Sequence, residues 1–206
     1  MSQQQGVYPV SITGELTVPP ARGWWLIKWL LGIPHYIVLA FLWIAFVVVF
    51  IIAFFAILFT AKYPRSLFNF NMGVLRWTWR VGFYSYQVLG TDKYPPFTLE
   101  SVDYPADLHI EYPEKLSRGL VLVKWCLLAI PHYIVTSFFQ GGGNGQSQLP
   151  GLTHVLAIFA GVVLLFTGKY PEDIFKLCVG MNRWTYRVAA YASLMTDKYP
   201  PFRLWD

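Results

Sequence analysis

The sequence predicts an α-helical integral membrane protein built from two tandem repeats, and three observations lead there. Composition is the first: 55% of residues are apolar, 18% aromatic and 13% charged, against about 25% charged in ordinary soluble domains. The second is the uncharged stretch 36–60, longer than the ~20 residues a membrane-spanning helix needs. The third is duplication. Lys28-Trp29, Ile33-Pro34-His35-Tyr36, Phe59-Thr60-Ala61-Lys62-Tyr63-Pro64, Arg76-Trp77-Thr78-Trp79-Arg80 and Thr91-Asp92-Lys93-Tyr94-Pro95-Pro96-Phe97 return as Lys124-Trp125, Ile130-Pro131-His132-Tyr133, Phe166-Thr167-Gly168-Lys169-Tyr170-Pro171, Arg183-Trp184-Thr185-Tyr186-Arg187 and Thr196-Asp197-Lys198-Tyr199-Pro200-Pro201-Phe202.

Each repeat is expected to hold a transmembrane or re-entrant helical hairpin, an amphipathic interfacial helix and short strands. The first repeat covers 1–102, with a strand at 7–15, a hairpin at 22–61, an interfacial helix at 66–89 and a strand at 97–100. The second covers 103–206, with a strand at 107–112, a hairpin at 118–168, a helix at 172–194 and a strand at 202–205. The hairpins follow from charge. All 16 Lys and Arg lie in 22–28, 62–124 and 169–203, so hairpins gather them on one face, where single crossings would divide them and leave no bias to orient the protein. A polar loop at 140–151, rich in Gly and Gln, breaks the second apolar run and cannot face lipid. In the first repeat the matching turn falls at 42–45, where no turn residue stands.

Pro34 and Pro131 are expected to kink their helices. Trp24, Trp25, Trp29 and Trp125 form an aromatic belt at the headgroups, and Lys28 and Lys124 snorkel to the same surface. In 66–89 an apolar stripe (Phe68, Met72, Leu75, Trp79, Phe83) adjoins a polar one carrying Arg76 and Arg80, which reads as a helix lying in the interface. The four strands would pair into a small antiparallel sheet on the positive side. The first 20 residues are polar and hold no Lys or Arg, so the apolar segments are expected to act as their own insertion signals. Cys126 and Cys178 stand in apolar surroundings and read as small buried hydrophobes rather than a disulfide.

These twin motifs, spread over about 8–205, resemble an uncharacterised bacterial family of duplicated small membrane proteins, common in actinobacteria and known only as a domain of unknown function. The resemblance implies a bacterial integral membrane protein and supplies no catalytic residues. With the charge argument it places a multi-pass chain in the plasma membrane, positive face and both termini cytoplasmic.

Candidate chemistry is sparse. Arg76, Arg80, Arg183 and Arg187 beside Trp77, Trp79 and Trp184 are the lipid- or partner-binding candidates, because guanidinium forks bind phosphate bidentately and indoles favour the headgroup level. The competing reading turns these arginines inward onto Asp92, Asp197 or Glu111. His35 and His132, equivalent in the two repeats, could ligate haem or another metal if they met; the plainer reading is that each satisfies a carbonyl freed by its proline. Asp92 and Asp197 read as turn caps or as partners of Arg80 and Arg187, and Glu172-Asp173 as acids favoured at a helix start. No phosphate cradle, nucleophile elbow or zinc spacing occurs. The net charge of +5 is dispersed among Trp and apolar residues, which suits anionic lipid rather than nucleic acid. The expectation is a non-enzymatic accessory or scaffold subunit, without cofactor, packed against a larger membrane complex. The alternatives are an anionic-phospholipid-binding module and a haem- or metal-binding redox subunit using His35 and His132.

Overall fold

The computed structural model describes residues 8–141 and 150–205. Among these the chain is mostly helical, with six α-helices and one two-stranded ribbon. Strand β1 (Val10–Gly14) precedes α1 (Lys28–Thr60) and α2 (Arg65–Tyr84); β2 (Ala106–Ile110) precedes α3 (Arg118–Val123), α4 (Ile130–Gln140), α5 (Leu152–Thr167) and α6 (Glu172–Ala192). The strands expected at 97–100 and 202–205 are not formed, so the four-stranded sheet reduces to one ribbon. Residues 142–149 of the polar loop, and Val7 of the first expected strand, lie outside the described residues.

The ribbon reveals how the repeats are related. β1 and β2 pair antiparallel, from Val10 opposite Ile110 to Gly14 opposite Ala106, with Ile12 opposite Leu108 at the centre. Tyr8-Pro9 matches Tyr104-Pro105 in sequence, which makes Ile12 and Leu108 equivalent. An antiparallel ladder centred on two equivalent residues requires a pseudo-twofold axis through its middle. Each strand then packs on the other repeat's helix, β2 on α2 and β1 on α6.

The first hairpin is not formed. α1 is one helix of 33 residues, about 50 Å long at 1.5 Å per residue. Nothing at 42–45 stops it, and running on as helix keeps the backbone polar groups there paired. Pro34 sits within it near the N-terminal end. A stripe of Lys28, Gly32, His35, Leu39, Phe46, Ala53 and Ile57 is buried, while Ile37, Phe41, Ile44, Val48, Ile51, Phe55 and Phe59 are exposed.

The second repeat follows the same path in pieces. Between Lys and Pro it has one residue more than the first (Lys124 to Pro131 against Lys28 to Pro34), and the surplus is absorbed as a π-helical turn at Lys124–Leu128, the usual way a helix takes in one extra residue. The segments on either side of this break, 118–128 and 130–140, meet at 48°, as Pro131 foretold. α4 ends at Gly141 with φ +84°. α5 then ends beside the start of α1: a Cβ on Gly161 would meet the Trp25 indole at 3.1 Å, and Gly168, at φ +73°, lies against the Arg22 guanidinium. The opposite end of α1 lies by the start of α3, where the Leu116 N–H donates to the Ala61 carbonyl at 2.9 Å. The start of α3 and the end of α5 are therefore separated by roughly the length of α1. Neither repeat turns back on itself, and the basic residues flanking the apolar runs divide between the two ends of the rods.

The helices form layers. α2 lies in the middle: Trp77 and Val81 pack with Leu39 of α1, while on other faces Arg76 reaches the Leu108 carbonyl of β2 and Trp79 the Thr13 carbonyl of β1. α6 is its pseudo-symmetric mate. No exposed large hydrophobic residue belongs to α2 or α6, whereas α1, α3, α4 and α5 carry most of them. The expected interfacial helices are thus the buried middle layer, and the apolar surface belongs to the outer rods.

Candidate functional site

One constellation is built twice, where the Thr-Asp-Lys-Tyr-Pro-Pro-Phe segment closes over the start of each rod. Lys28 is fully buried, not snorkelling; its Nζ lies 2.9 Å from Asp92 Oδ1, donates to the Thr91 carbonyl at 2.7 Å and stands 4.9 Å from the Tyr84 ring centre. Lys124 repeats this with Asp197 at 2.7 Å, the Thr196 carbonyl at 3.0 Å and Tyr191 at 5.6 Å. The other carboxylate oxygen accepts a backbone N–H, from Ala21 at 2.5 Å in one copy and Ser117 at 2.6 Å in the other. A buried ammonium is tolerable only when paired and hydrogen-bonded in this way. The aspartates expected to answer Arg80 and Arg187 are committed to these lysines instead.

The histidines lie two turns further on, each in its own aromatic cage. His35 is stacked on Phe97 at 4.0 Å between centroids, with Tyr94 at 4.8 Å; His132 is stacked on Phe202 at 4.3 Å, with Tyr199 at 4.8 Å. The Trp77 indole N–H donates to His35 Nδ1 at 3.1 Å, and Trp184 to His132 Nδ1 at 3.1 Å. Indole nitrogen can only donate. Each Nδ1 must therefore carry the lone pair and each Nε2 the proton. A metal would need that Nδ1 lone pair, which the indole N–H already occupies, while the protonated Nε2 has none to offer. The two imidazoles are not brought together, and they do not satisfy proline-freed carbonyls. They tie the rods to α2 and α6.

The four arginines turn inward. Arg76 Nε lies 3.0 Å from Asp107 and donates to the Leu108 carbonyl at 2.9 Å, and its Nη1 donates to the Leu99 carbonyl at 3.0 Å. Arg80 is fully buried; it meets Asp107 at 3.3 Å and the Glu100 carbonyl at 2.6 Å. Burial lowers the Arg80 pKa and Asp107 opposes that shift, leaving a guanidinium that stays charged. Arg183 donates to the Leu204 carbonyl at 3.5 Å; Arg187 donates to the Arg203 carbonyl at 3.4 Å and lies over the Tyr8 ring. Trp77, Trp79 and Trp184 are buried too. The inward alternative describes these residues, but its carboxylates differ: Asp107 answers Arg76 and Arg80, and Arg183 and Arg187 reach backbone carbonyls.

Of the belt residues, Trp24, Trp29 and Trp125 are exposed on the outer layer, while Trp25 is half-buried against the core. Glu172 and Asp173 occupy the first turn of α6; both cysteines are free, Cys178 buried as expected but Cys126 exposed on the outer layer. Tyr84, Tyr191, Phe97, Phe202 and Asp107 were not singled out from sequence. For all but Asp107 the signal was present, since each recurs at the same place in both copies.

No curated protein and no solved structure matches the chain. One family does, over residues 23–98 and 147–203, which places a match in each repeat. The chain belongs to the family described as a domain of unknown function (DUF4389), in duplicated form.

Proposed function

We propose that this chain is a non-enzymatic membrane-embedded accessory or scaffold subunit of the bacterial plasma membrane, lying in one leaflet with its outer rods rather than crossing as hairpins. The observation that carries this reading is the segregation of exposed apolar side chains onto α1, α3, α4 and α5, with none on α2 or α6. A crossing by α1 would also bring the ribbon to bilayer depth, because the ribbon packs beneath the middle layer. Ser11, Thr13 and His109 of that ribbon are exposed, as is Glu111 just beyond it, and open strand edges do not occur against lipid. Lying flat puts rods in the acyl region and ribbon in water, as amphipathic interfacial elements do. Under the positive-inside bias the ribbon side is cytoplasmic, with both ends of the chain on that side.

The larger membrane partner would pack on the exposed ridge of Ile37, Phe41, Ile44 and Phe55, not on the buried tryptophans. Native mass spectrometry after gentle extraction tests this: an assembly of fixed stoichiometry, lost on Phe41→Ser with Ile44→Ser, is expected. A monomer in the unaltered protein speaks against it.

Anionic phospholipids remain the second reading, moved to other residues. Arg22 and Lys169 at one end of the rods, and Lys62, Arg65 and Arg118 at the other, are exposed and stand where headgroups would lie. Charge reversal at Lys62, Arg65 and Arg118 should weaken flotation with phosphatidylglycerol vesicles; unchanged flotation counts against it.

A further inference from the structure

Where the rods pass the ends of α2 and α6, the two repeats form two related cavities, and they have diverged. The first, of about 410 Å³, is lined by Tyr36, Trp43, Thr78, Ser85, Gln87 and His154 among others. The second, of about 290 Å³, is lined in part by Val47, Tyr133, Ala189, Ala192 and Ser193. Tyr133 is the equivalent of Tyr36, Ala189 of Gly82, Ala192 of Ser85 and Val47 of His154, by the motif spacings. The first repeat also has two residues more between Tyr84 and Thr91 than the second has between Tyr191 and Thr196. Leu89 and Leu194, both at positive φ (57° and 68°), fix the alignment and leave Tyr86 and Gln87 as the surplus pair. Every polar feature that distinguishes the first cavity therefore lies at a position where the copies differ.

Two of those features are buried polar atoms without a protein partner, Gln87 Oε1 and His154 Nδ1. Gly82 makes room for the former, since a Cβ there would meet Gln87 Oε1 at 2.1 Å; the equivalent Ala189 has no such glutamine to accommodate. Buried polar atoms are normally satisfied, and a cavity above 300 Å³ is of the size that holds a small ligand. The lining contains no Lys, Arg, Asp or Glu. An anionic head would face the Gln87 carbonyl oxygen with no cation to hold it, while a hydroxyl donates to Gln87 and meets His154 in either tautomer. Leu39, Ala40 and Val81 supply apolar wall, and the partly exposed Tyr36 and Trp43 frame a mouth on the outer layer.

We infer that the first cavity binds an uncharged, hydroxyl-headed amphiphile of the acylglycerol class, drawn from the leaflet, with its head between Gln87 and His154. Entry from the leaflet rests on the membrane-embedded reading.

The test uses the full chain in phosphatidylcholine nanodiscs containing either 1-monooleoylglycerol or phosphatidylglycerol as a minor component, with bound lipid read by native mass spectrometry. Retention of monooleoylglycerol is expected, falling about tenfold in His154→Val and in Gln87→Leu, the loss of roughly one buried hydrogen bond each. Val is what the other repeat carries at the first of these positions, so its fold tolerates it. Gly82→Ala, which pushes Gln87 aside without removing it, should lower retention in the same way. Equal retention by the protein and all three variants, or retention of phosphatidylglycerol in place of monooleoylglycerol, overturns the inference. Flotation of the same proteins reconstituted with phosphatidylcholine vesicles keeps the outcomes apart: flotation without monooleoylglycerol retention leaves the membrane-embedded reading standing and removes this one.

Discussion

At the scale of single residues, the duplicated motifs are a set of buried polar ties. The Trp77–His35 and Trp184–His132 bonds each satisfy an imidazole nitrogen that would otherwise be stranded in an aromatic cage. Trp77→Phe or Trp184→Phe should destabilise the fold by about 1–3 kcal/mol, read as a lowered midpoint in detergent denaturation; an unchanged midpoint would mean the bond contributes nothing. Buried phenols add a pH dependence. Burial pushes Tyr84 up to about 12, and raises Tyr63, Tyr104, Tyr170 and Tyr186. Unfolded phenols ionise near 10, so the folded state holds its protons longer. Stability is intact below about pH 10 and is lost as pH rises through the folded values. Phenolate absorbance followed with circular dichroism should show these tyrosines ionising together with unfolding. Smooth ionisation near pH 10 with native dichroism would contradict their burial. Much of this scale was legible in the sequence, because a residue kept in both copies marks a place in the structure. What was not legible was pairing: nothing local joins Lys28 to Asp92, or Arg76 to an aspartate on the other repeat's strand.

At the scale of elements, the apolar runs were legible and their paths were not. A long uncharged stretch suits a hairpin or a rod equally, and the charge count that favoured hairpins assumed a chain that crosses the bilayer. The amphipathic pattern of α2 and α6 is plain in the sequence, but both helices are buried in the middle layer. Their arginine stripes look interfacial in sequence, yet they bond to the ribbon and the 98–100 and 203–204 turns. The repeats also predict how the second rod can be altered. It carries ten residues more than the first between the histidine and the Phe-Thr motif, so deleting 141–150 joins Gln140 to Gly151 in the register of Trp43 and Ile44. The deletion should preserve the thermal midpoint and raise helicity in far-ultraviolet dichroism. Loss of the folded state would show that the two rods are not equivalent.

At the scale of the whole molecule, a pseudo-twofold axis through Ile12 and Leu108 organises three layers: ribbon, α2 with α6, and the outer rods. The exchange of strands and rod ends interlocks the repeats, so the duplication reads as one body rather than two joined modules. How that body meets the bilayer decides between an in-plane and a crossing arrangement. The most direct measurement is labelling of single cysteines at the two ends of α1, Arg22→Cys and Lys62→Cys, in a background with Cys126 and Cys178 replaced by alanine. A membrane-impermeant maleimide is applied to sealed vesicles of each orientation. A rod lying in one leaflet predicts that both positions react from the same, cytoplasmic side. Reaction of the two positions from opposite sides would establish a crossing and contradict the in-plane arrangement.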